Sequence, residues 1–220
     1  MTTSIKYLIK FGDEANIVKL FEKGEVYMNT IKTFKESDQI AIGDKYEGTA
    51  DIKNFANGKL TFDGPNNPIN FKTSKLQLSE SHQFHIGNIF CSYALSDKLL
   101  SRKRIHKIDA RMQSFGSHCV IIKDVPKFLN AIFTQLNNKN IAFSHNIVKY
   151  HNYTKNNHVL TIFDKSHNLA YQKEHRIIAY TDLEEPLKLE IGSLNEYAEF
   201  YPTNFLIKNS IFAPENHLTD

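Results

Sequence analysis

The sequence predicts a single strand-rich α+β domain that covers residues 1–220. Three observations favour this class. Period-two hydrophobic alternation recurs along the chain, one strong amphipathic-helix pattern lies near the middle, and no repeat or linker-like segment divides the sequence. A chain of this length buries roughly 70% of its unfolded surface as one domain, so it needs neither a metal nor a disulfide to fold.

The chain opens with a pattern typical of a strand, a helix and a second strand. Apolar residues alternate over residues 5–11, and Asp13 then offers an N-cap for a short amphipathic helix. Gly24 is placed to end that helix, because glycine adopts the left-handed conformation that a helix C-terminus favours. Alternation resumes over residues 25–29, so we expect a compact β-α-β opening.

The next segments read as strands joined by turns. Asn57 and Gly58 separate two apolar runs, residues 52–55 and 60–62. Asn-Gly between such runs is the strongest short-range hairpin signal, so a turn is predicted there. A further strand is predicted over residues 71–78.

The second half of the chain carries a buried strand and the clearest helix. Residues 84–95 are almost entirely apolar or aromatic, which favours a central strand. Asp124 and Pro126 begin a helix, because proline suits the first helical turn. The apolar face of this helix has helical spacing and consists of Val125, Phe128, Leu129, Ile132, Phe133 and Leu136. Later strands are predicted over residues 141–150, 158–163, 171–180 and 187–191.

Composition excludes some classes of protein without naming a function. Lys and Arg number 27 against 24 Asp and Glu, giving a net charge of +3 that is too small to indicate nucleic-acid binding by itself. No apolar run reaches the roughly 18 residues of a membrane span. The first ten residues lack the features of a secretory signal, and Cys91 and Cys119 form no disulfide framework. We therefore expect a cytoplasmic protein without a membrane partner.

The segment AYQKEHRIIAY, residues 170–180, carries the strongest candidate chemistry. On a strand, Gln172, Glu174 and Arg176 would share one face. A carboxylate within an apolar strand is costly unless it is paired or faces a cleft. Two interpretations stay open: Glu174 forms an ion pair on a solvated sheet face, or it acts chemically in a cleft.

Gln-x-Glu on a strand resembles the catalytic motif of ADP-ribosyltransferases. The resemblance implies a split sheet with a few packed helices and NAD as co-substrate. Glu174 would stabilise the oxocarbenium ion that develops at the nicotinamide ribose, and Gln172 would place the acceptor. Lys10 and Tyr7, in the first strand, and Ser92, in FCSYALS, would bind the dinucleotide. Lys10 stands where that family has Arg or His.

Residues 5–180 also resemble an uncharacterised bacterial family, domain-of-unknown-function family 2971. The resemblance is carried by the opening strand–helix–strand and by the motif Tyr171-Gln-Lys-Glu-His-Arg-Ile177. The family's Phe-Asn-Asp-Pro element is replaced here by residues 33–38, and the run GDKYEG at residues 43–48 suggests a divergent subgroup. This resemblance bears on fold more than on activity.

The run GDKYEG, residues 43–48, places Asp44 and Glu47 in a long polar loop. The two carboxylates could line a pocket, hold a cation, or cover a ligand bound near Glu174, since long loops in compact domains are often functional. The alternative is a pair of turns with solvated acids.

The densest cluster of positive charge lies in residues 98–111, which we predict to be helical. Nucleic acid could bind there through Arg102, Lys103, Arg104 and Lys107. A solvated amphipathic helix is the other interpretation. The ten histidines lack the spacing of a zinc site, so no metal is expected.

Two functions therefore stay open. The first is an NAD-dependent ADP-ribosyltransferase-like enzyme, a toxin or phage-defence effector that modifies nucleic acid or protein. The second is a non-catalytic module in phage–host conflict that binds a nucleotide, a nucleic acid or a protein partner.

Overall fold

Strands dominate the part of the chain that the structure describes, and only one helix in that part is long. The computed structural model describes residues 4–36, 46–62, 69–81, 87–100, 106–182 and 184–210, and these residues confirm the predicted α+β class. The strands are β1 (Ile5–Gly12), β2 (Glu25–Thr30), β3 (Thr49–Phe62), β4 (Ile69–Ser81), β5 (Asn88–Ser96), β6 (His118–Ile122), β7 (Ala142–Ile147), β8 (Lys149–His151), β9 (His158–Val159), β10 (Asp164–Ser166), β11 (Glu174–Tyr180), β12 (Leu187–Glu190) and β13 (Ala198–Pro202). The helices are α1 (Glu14–Val18), α2 (Ile31–Glu36), α3 (Asp97–Leu100), α4 (Val125–Asn138) and α5 (Thr203–Asn209), with a π-helical turn at Lys19–Lys23 and 3₁₀ helices at Ala110–Phe115 and His167–Gln172.

Eight strands form the main sheet, in which every pairing is antiparallel. Its order is β12-β2-β5-β1-β6-β13, with β11 also paired to β5 and β7 to β11. The central strand is β5, whose residues are all buried except Cys91 and Ser96. The central strand predicted over residues 84–95 is therefore confirmed from its Asn88 onward.

The main sheet is split beside β5. On one edge of β5, β1 pairs only as far as Ile9, opposite Tyr93, and β2 pairs only through Asn29 and Thr30. The strand β11 runs along the other edge. Among the described residues, residues 90–92 of β5 consequently have no strand partner on the first edge. This opening between β1 and β2 is called the sheet gap below.

The predicted β-α-β opening is confirmed, and its helical segment connects the two strands that flank the sheet gap. Ile17 and Leu20 are buried on the inner face of the connecting helical segment. Gly24 ends it with φ of 68° and donates its N–H to the Leu20 carbonyl at 3.0 Å. Asp13 precedes the helix, but its backbone carbonyl, and not its side chain, accepts the first hydrogen bonds.

Helix α4 covers one face of the sheet. The Asp124 carboxylate accepts a hydrogen bond from the Lys127 N–H at 3.0 Å, and Pro126 lies in the first turn. All six predicted apolar positions of α4 are buried or pack against the core of this face. A second core on the opposite face contains Met112 and Leu206.

The strands β3 and β4 form a long hairpin, and the predicted turn at Asn57-Gly58 is wrong. The pairing runs without a shift from Ala56 opposite Lys75 to Gly58 opposite Thr73. Asn57 adopts a left-handed φ of 53° inside the strand, which asparagine tolerates better than most residues. The two strands therefore stay paired past Asn57 as far as Phe62 opposite Ile69, and residues 63–68 lie outside the described residues.

Candidate functional site

A cavity of about 460 Å³ lies at the sheet gap. Its volume is within the range of small-molecule sites. Four residues predicted for the site line it: Lys10, Ser92, Gln172 and Glu174. Tyr7 does not; its side chain packs against the second core, three positions before Lys10 on β1, so the structure does not support its predicted role.

The cavity reaches both faces of the sheet because β1 and β2 separate there. Residues of β5 alternate between faces, so Phe90 and Ser92 lie on one face and Cys91 on the other. Lys10 lies with Phe90, since its Nζ is 4.7 Å from the centre of that ring. Glu174 is paired with Tyr93 and therefore lies on the Cys91 face. A ligand in the gap could contact both sets of side chains.

Lys10 places a positive charge in the gap. Its Nζ donates a hydrogen bond to the carbonyl of Cys91 at 2.9 Å and, within the described ranges, forms no ion pair. Burial lowers the pKa of Lys10, and the negative charge of Glu174 opposes that effect. An ammonium group has three N–H donors, so Lys10 retains capacity for an anionic ligand.

Ser92 has a buried hydroxyl that lacks a partner. The residue is 5% exposed, and its Oγ forms no hydrogen bond in the structure. A buried polar group left without a hydrogen bond costs about 1–3 kcal/mol. A ligand that supplies the missing hydrogen bond would recover that free energy. The backbone N–H of Cys91 points to the same edge as its carbonyl, towards the gap.

Glu174 is buried and held by two cations. Lys165 Nζ donates to its Oε2 at 2.7 Å, and Arg176 Nε donates to its Oε1. Burial alone would raise the pKa of Glu174, but Arg176 and Lys165 hold it well below its usual range. The predicted pairing with Arg176 is thus present, but in the interior and not on a solvated face.

The ion pairs continue to Glu47. Arg176 donates from Nη1 and Nη2 to the two carboxylate oxygens of Glu47, at 2.7 and 2.6 Å. Glu47, Arg176, Glu174 and Lys165 are each less than a tenth exposed, and together they are called the ionic chain. Its two carboxylates match its two cations. The interpretation of Glu47 as a solvated turn residue is therefore wrong, and Asp44 lies outside the described residues.

Gln172 reaches the site by a route that the sequence did not predict. The predicted strand over residues 171–180 begins only at Glu174, because His167–Gln172 form a 3₁₀ helix and Lys173 adopts a left-handed φ of 42°. Gln172 and Glu174 nevertheless meet, since Lys165 Nζ also donates to Gln172 Oε1 at 3.0 Å. Lys165 was missed, and nothing in its local sequence distinguishes it.

Lys10 is the place in the cavity where an anion would bind, because the other charges of the lining belong to the balanced ionic chain or are the carboxylates of Asp13 and Glu25. The ionic chain is balanced, so the charge of Lys10 is not matched by it. Desolvation of the Cys91 thiol and the nearby Glu174 charge both raise its pKa, which makes the thiol a poor nucleophile. A positive charge developing next to Glu174 would be stabilised only weakly, since both carboxylate oxygens already face cations.

The predicted basic helix over residues 98–111 is not continuous. Helix α3 ends at Leu100, residues 101–105, with Arg102, Lys103 and Arg104, lie outside the described residues, and residues 107–109 are not helical. Lys107 is exposed. Arg111 is held by the Asp109 carboxylate at 2.7 and 2.9 Å and stacks on Tyr171.

Metal-binding clusters and membrane-spanning helices are both absent from the described residues. These residues contain no group of three or more His, Cys, Asp or Glu side chains placed to hold a metal ion. They also contain no helix that is long and apolar enough to cross a membrane.

Comparison with protein-family models, curated proteins and solved structures found no match. The resemblances to ADP-ribosyltransferases and to family 2971 therefore stay predictions.

Proposed function

We propose that this protein binds a nucleotide of the NAD class in the cavity at the sheet gap. The observation that carries the proposal is that one cavity is lined by both Lys10 and Ser92. Among the described residues, Lys10 has no carboxylate partner and the buried Ser92 hydroxyl has no hydrogen bond. Lys10 would bind a phosphate group. Ser92 Oγ and the Cys91 N–H would bind a polar edge of the base or of a carboxamide.

Aromatic side chains around the cavity suit the flat part of such a ligand. Phe34, Phe90 and Phe115 line it, and Tyr27 lies at its rim with 43% of its surface exposed. Aromatic rings stack on nucleobases and remove apolar surface from water. This lining supports a nucleotide over inorganic phosphate.

ADP-ribosyl transfer from NAD is the second candidate. The observation that favours it is that Gln172 and Glu174 line the same cavity as Lys10. In this reaction the bond between nicotinamide and the ribose carbon breaks, nicotinamide leaves, and the acceptor takes its place. The ion pairs of Glu174 argue for binding over transfer, because they neutralise the carboxylate that would stabilise the cationic ribose.

A thermal-shift series with NAD, ADP-ribose, AMP and a short oligonucleotide tests the binding proposal. A ligand at about 100 times its Kd stabilises a protein by roughly 2.7 kcal/mol, which for this size of chain raises Tm by about 5–10 °C. Ser92→Ala should reduce that rise without lowering the Tm of the free protein. If no nucleotide raises Tm, the proposal is wrong. If only the oligonucleotide does, a nucleic-acid module is favoured.

Measurement of nicotinamide released from NAD separates the two candidates. If the protein transfers ADP-ribose, the wild-type protein should release nicotinamide from NAD. The Gln172→Ala variant should no longer release nicotinamide, although NAD should still raise its Tm. If NAD raises Tm and no nicotinamide appears with protein or nucleic-acid acceptors, the protein is a binder.

A further inference from the structure

The hairpin of β3 and β4 has a long strand edge that none of the described strands covers. The three-stranded sheet has the order β4-β3-β9, so β4 lies at its edge, and no other strand within the described ranges pairs with it. β4 is 13 residues long. An exposed edge of this length presents a row of backbone N–H and C=O groups that can pair with another strand.

One face of the hairpin exposes apolar side chains. Phe55 is 45% and Leu78 is 50% exposed, and the half-buried Leu76 is opposite Phe55 on the same face. The other face is occupied, because Asn54 and Gln77 donate to the carbonyl of Tyr153 at 2.9 and 2.7 Å. The exposed face is therefore not the one that attaches the hairpin to the rest of the protein.

Charges on β4 are arranged so that the strand complements itself. Lys72 and Glu80 lie four residues before and after Leu76, on the same face, and both are exposed. Neither forms an ion pair within the part of the chain that the structure describes. When two antiparallel copies of β4 are centred on Leu76, each Lys72 lies opposite Glu80 of the other copy.

Neighbouring registers lack this match. A centre at Lys75 places the two copies of that lysine opposite each other, which is repulsive. A centre at Gln77 places Glu80 opposite Ser74 and leaves Lys72 without an acidic residue opposite. Opposite charges across a strand pair stabilise it by up to about 1 kcal/mol, so the charges select the register centred on Leu76.

We infer that two copies of this chain pair through antiparallel β4 strands centred on Leu76. The two hairpins then form one four-stranded sheet with twofold symmetry, as isologous dimers require. Pairing of residues 71–81 adds about ten backbone hydrogen bonds. It also brings Leu76 and Leu78 of both copies together on one face.

Charge reversal tests the inference through the molar mass in solution, measured by sedimentation equilibrium over a range of concentrations. Wild-type protein should dimerise, and Lys72→Glu should raise the dimer Kd about tenfold or more, because two attractive pairs become repulsive. Glu80→Lys should do the same. The double variant Lys72→Glu/Glu80→Lys should restore the wild-type Kd.

The matched control is Lys75→Glu. It changes the net charge by the same amount as Lys72→Glu, but Lys75 lies opposite the neutral Gln77 of the other copy. It should leave the Kd within about twofold. A monomer at every concentration overturns the inference. So does a dimer that Lys75→Glu weakens as much as Lys72→Glu, or one that the double variant fails to restore.

Disulfide crosslinking checks the register. Under oxidation Leu76→Cys should give a covalent dimer, since the two residues face each other at the centre. Ser74→Cys, on the same face, should not, because in this register its two copies are roughly 14 Å apart, beyond the reach of a disulfide. Equal crosslinking of both variants contradicts the register. Circular dichroism confirms that each variant is folded.

Discussion

Replacing Glu174 by Gln should unfold this protein at much lower temperature, although the two side chains have the same shape. The amide leaves Lys165 and Arg176 buried with only Glu47 to balance them. Breaking a buried ion pair by removing one partner costs about 3–5 kcal/mol. That is a large part of the 5–15 kcal/mol that typically stabilises a domain, and it lowers Tm by about 10 °C.

A second substitution shows that charge is the cause. Lys165→Met alone leaves one carboxylate in excess and should also destabilise. Lys165→Met/Glu174→Gln leaves the Arg176–Glu47 pair balanced, so the double variant should be more stable than either single variant. Exposed Glu190→Gln is the matched control and should change the free energy of unfolding by less than about 0.5 kcal/mol.

Urea unfolding of these variants at pH 7 gives the free energies. The reasoning is refuted if Glu174→Gln costs under about 1 kcal/mol. The reasoning is also refuted if the free-energy cost of the double variant equals the sum of the costs of the two single variants. This result matters for function, because loss of turnover in Glu174→Gln would not by itself identify a catalytic carboxylate.

Three further predictions concern pH and the backbone. Burial, with a neighbouring histidine, lowers the pKa of His175 from 6.5 to about 4. The contribution of neutral His175 to stability is therefore fully present above pH 6.5. The free energy of unfolding falls by roughly 3 kcal/mol as the pH falls to about 4. Urea unfolding across this range should show that slope, and His175→Gln should remove it. Burial lowers the pKa of Lys10 below 10.5. As the pH rises, nucleotide affinity should therefore fall at a lower pH than it would if an exposed lysine bound the phosphate. Titrations at increasing pH that show constant affinity contradict this. Gly116→Ala should lower the free energy of unfolding by about 2–4 kcal/mol, because the added Cβ would lie 2.1 Å from the Gly12 backbone. In Gly192→Ala the added Cβ meets no atom within 4 Å, so urea unfolding should show a loss of only about 1 kcal/mol.

Two elements whose local signals agree with one another, the helix α4 and the opening, were predicted correctly. The helix α4 has its cap, its proline and its apolar spacing within the segment from Asp124 to Leu136, so the sequence contains all that defines it. The same holds for the opening, where Gly24 ends the helical segment. Four of the five residues predicted for catalysis and cofactor binding line one cavity because β1, β5 and β11 are neighbours in the sheet.

Contacts between distant segments could not be predicted. Glu47 meets Arg176 across 129 residues of sequence, and only the folded sheet brings them together. Two errors lie at single residues in the left-handed conformation. Asn57 adopts this conformation without turning the hairpin, and Lys173 adopts it where a strand was expected to continue.

Isothermal titration of NAD into wild-type protein, Lys10→Met and Lys6→Met tests most directly whether an unmatched lysine charge in the sheet gap binds a nucleotide. Lys6 is an exposed lysine on the same strand and serves as the control. Wild-type and Lys6→Met should bind with equal affinity, whereas Lys10→Met should bind at least about tenfold more weakly, as expected when a charged hydrogen bond is lost. Equal binding by all three proteins would contradict the account.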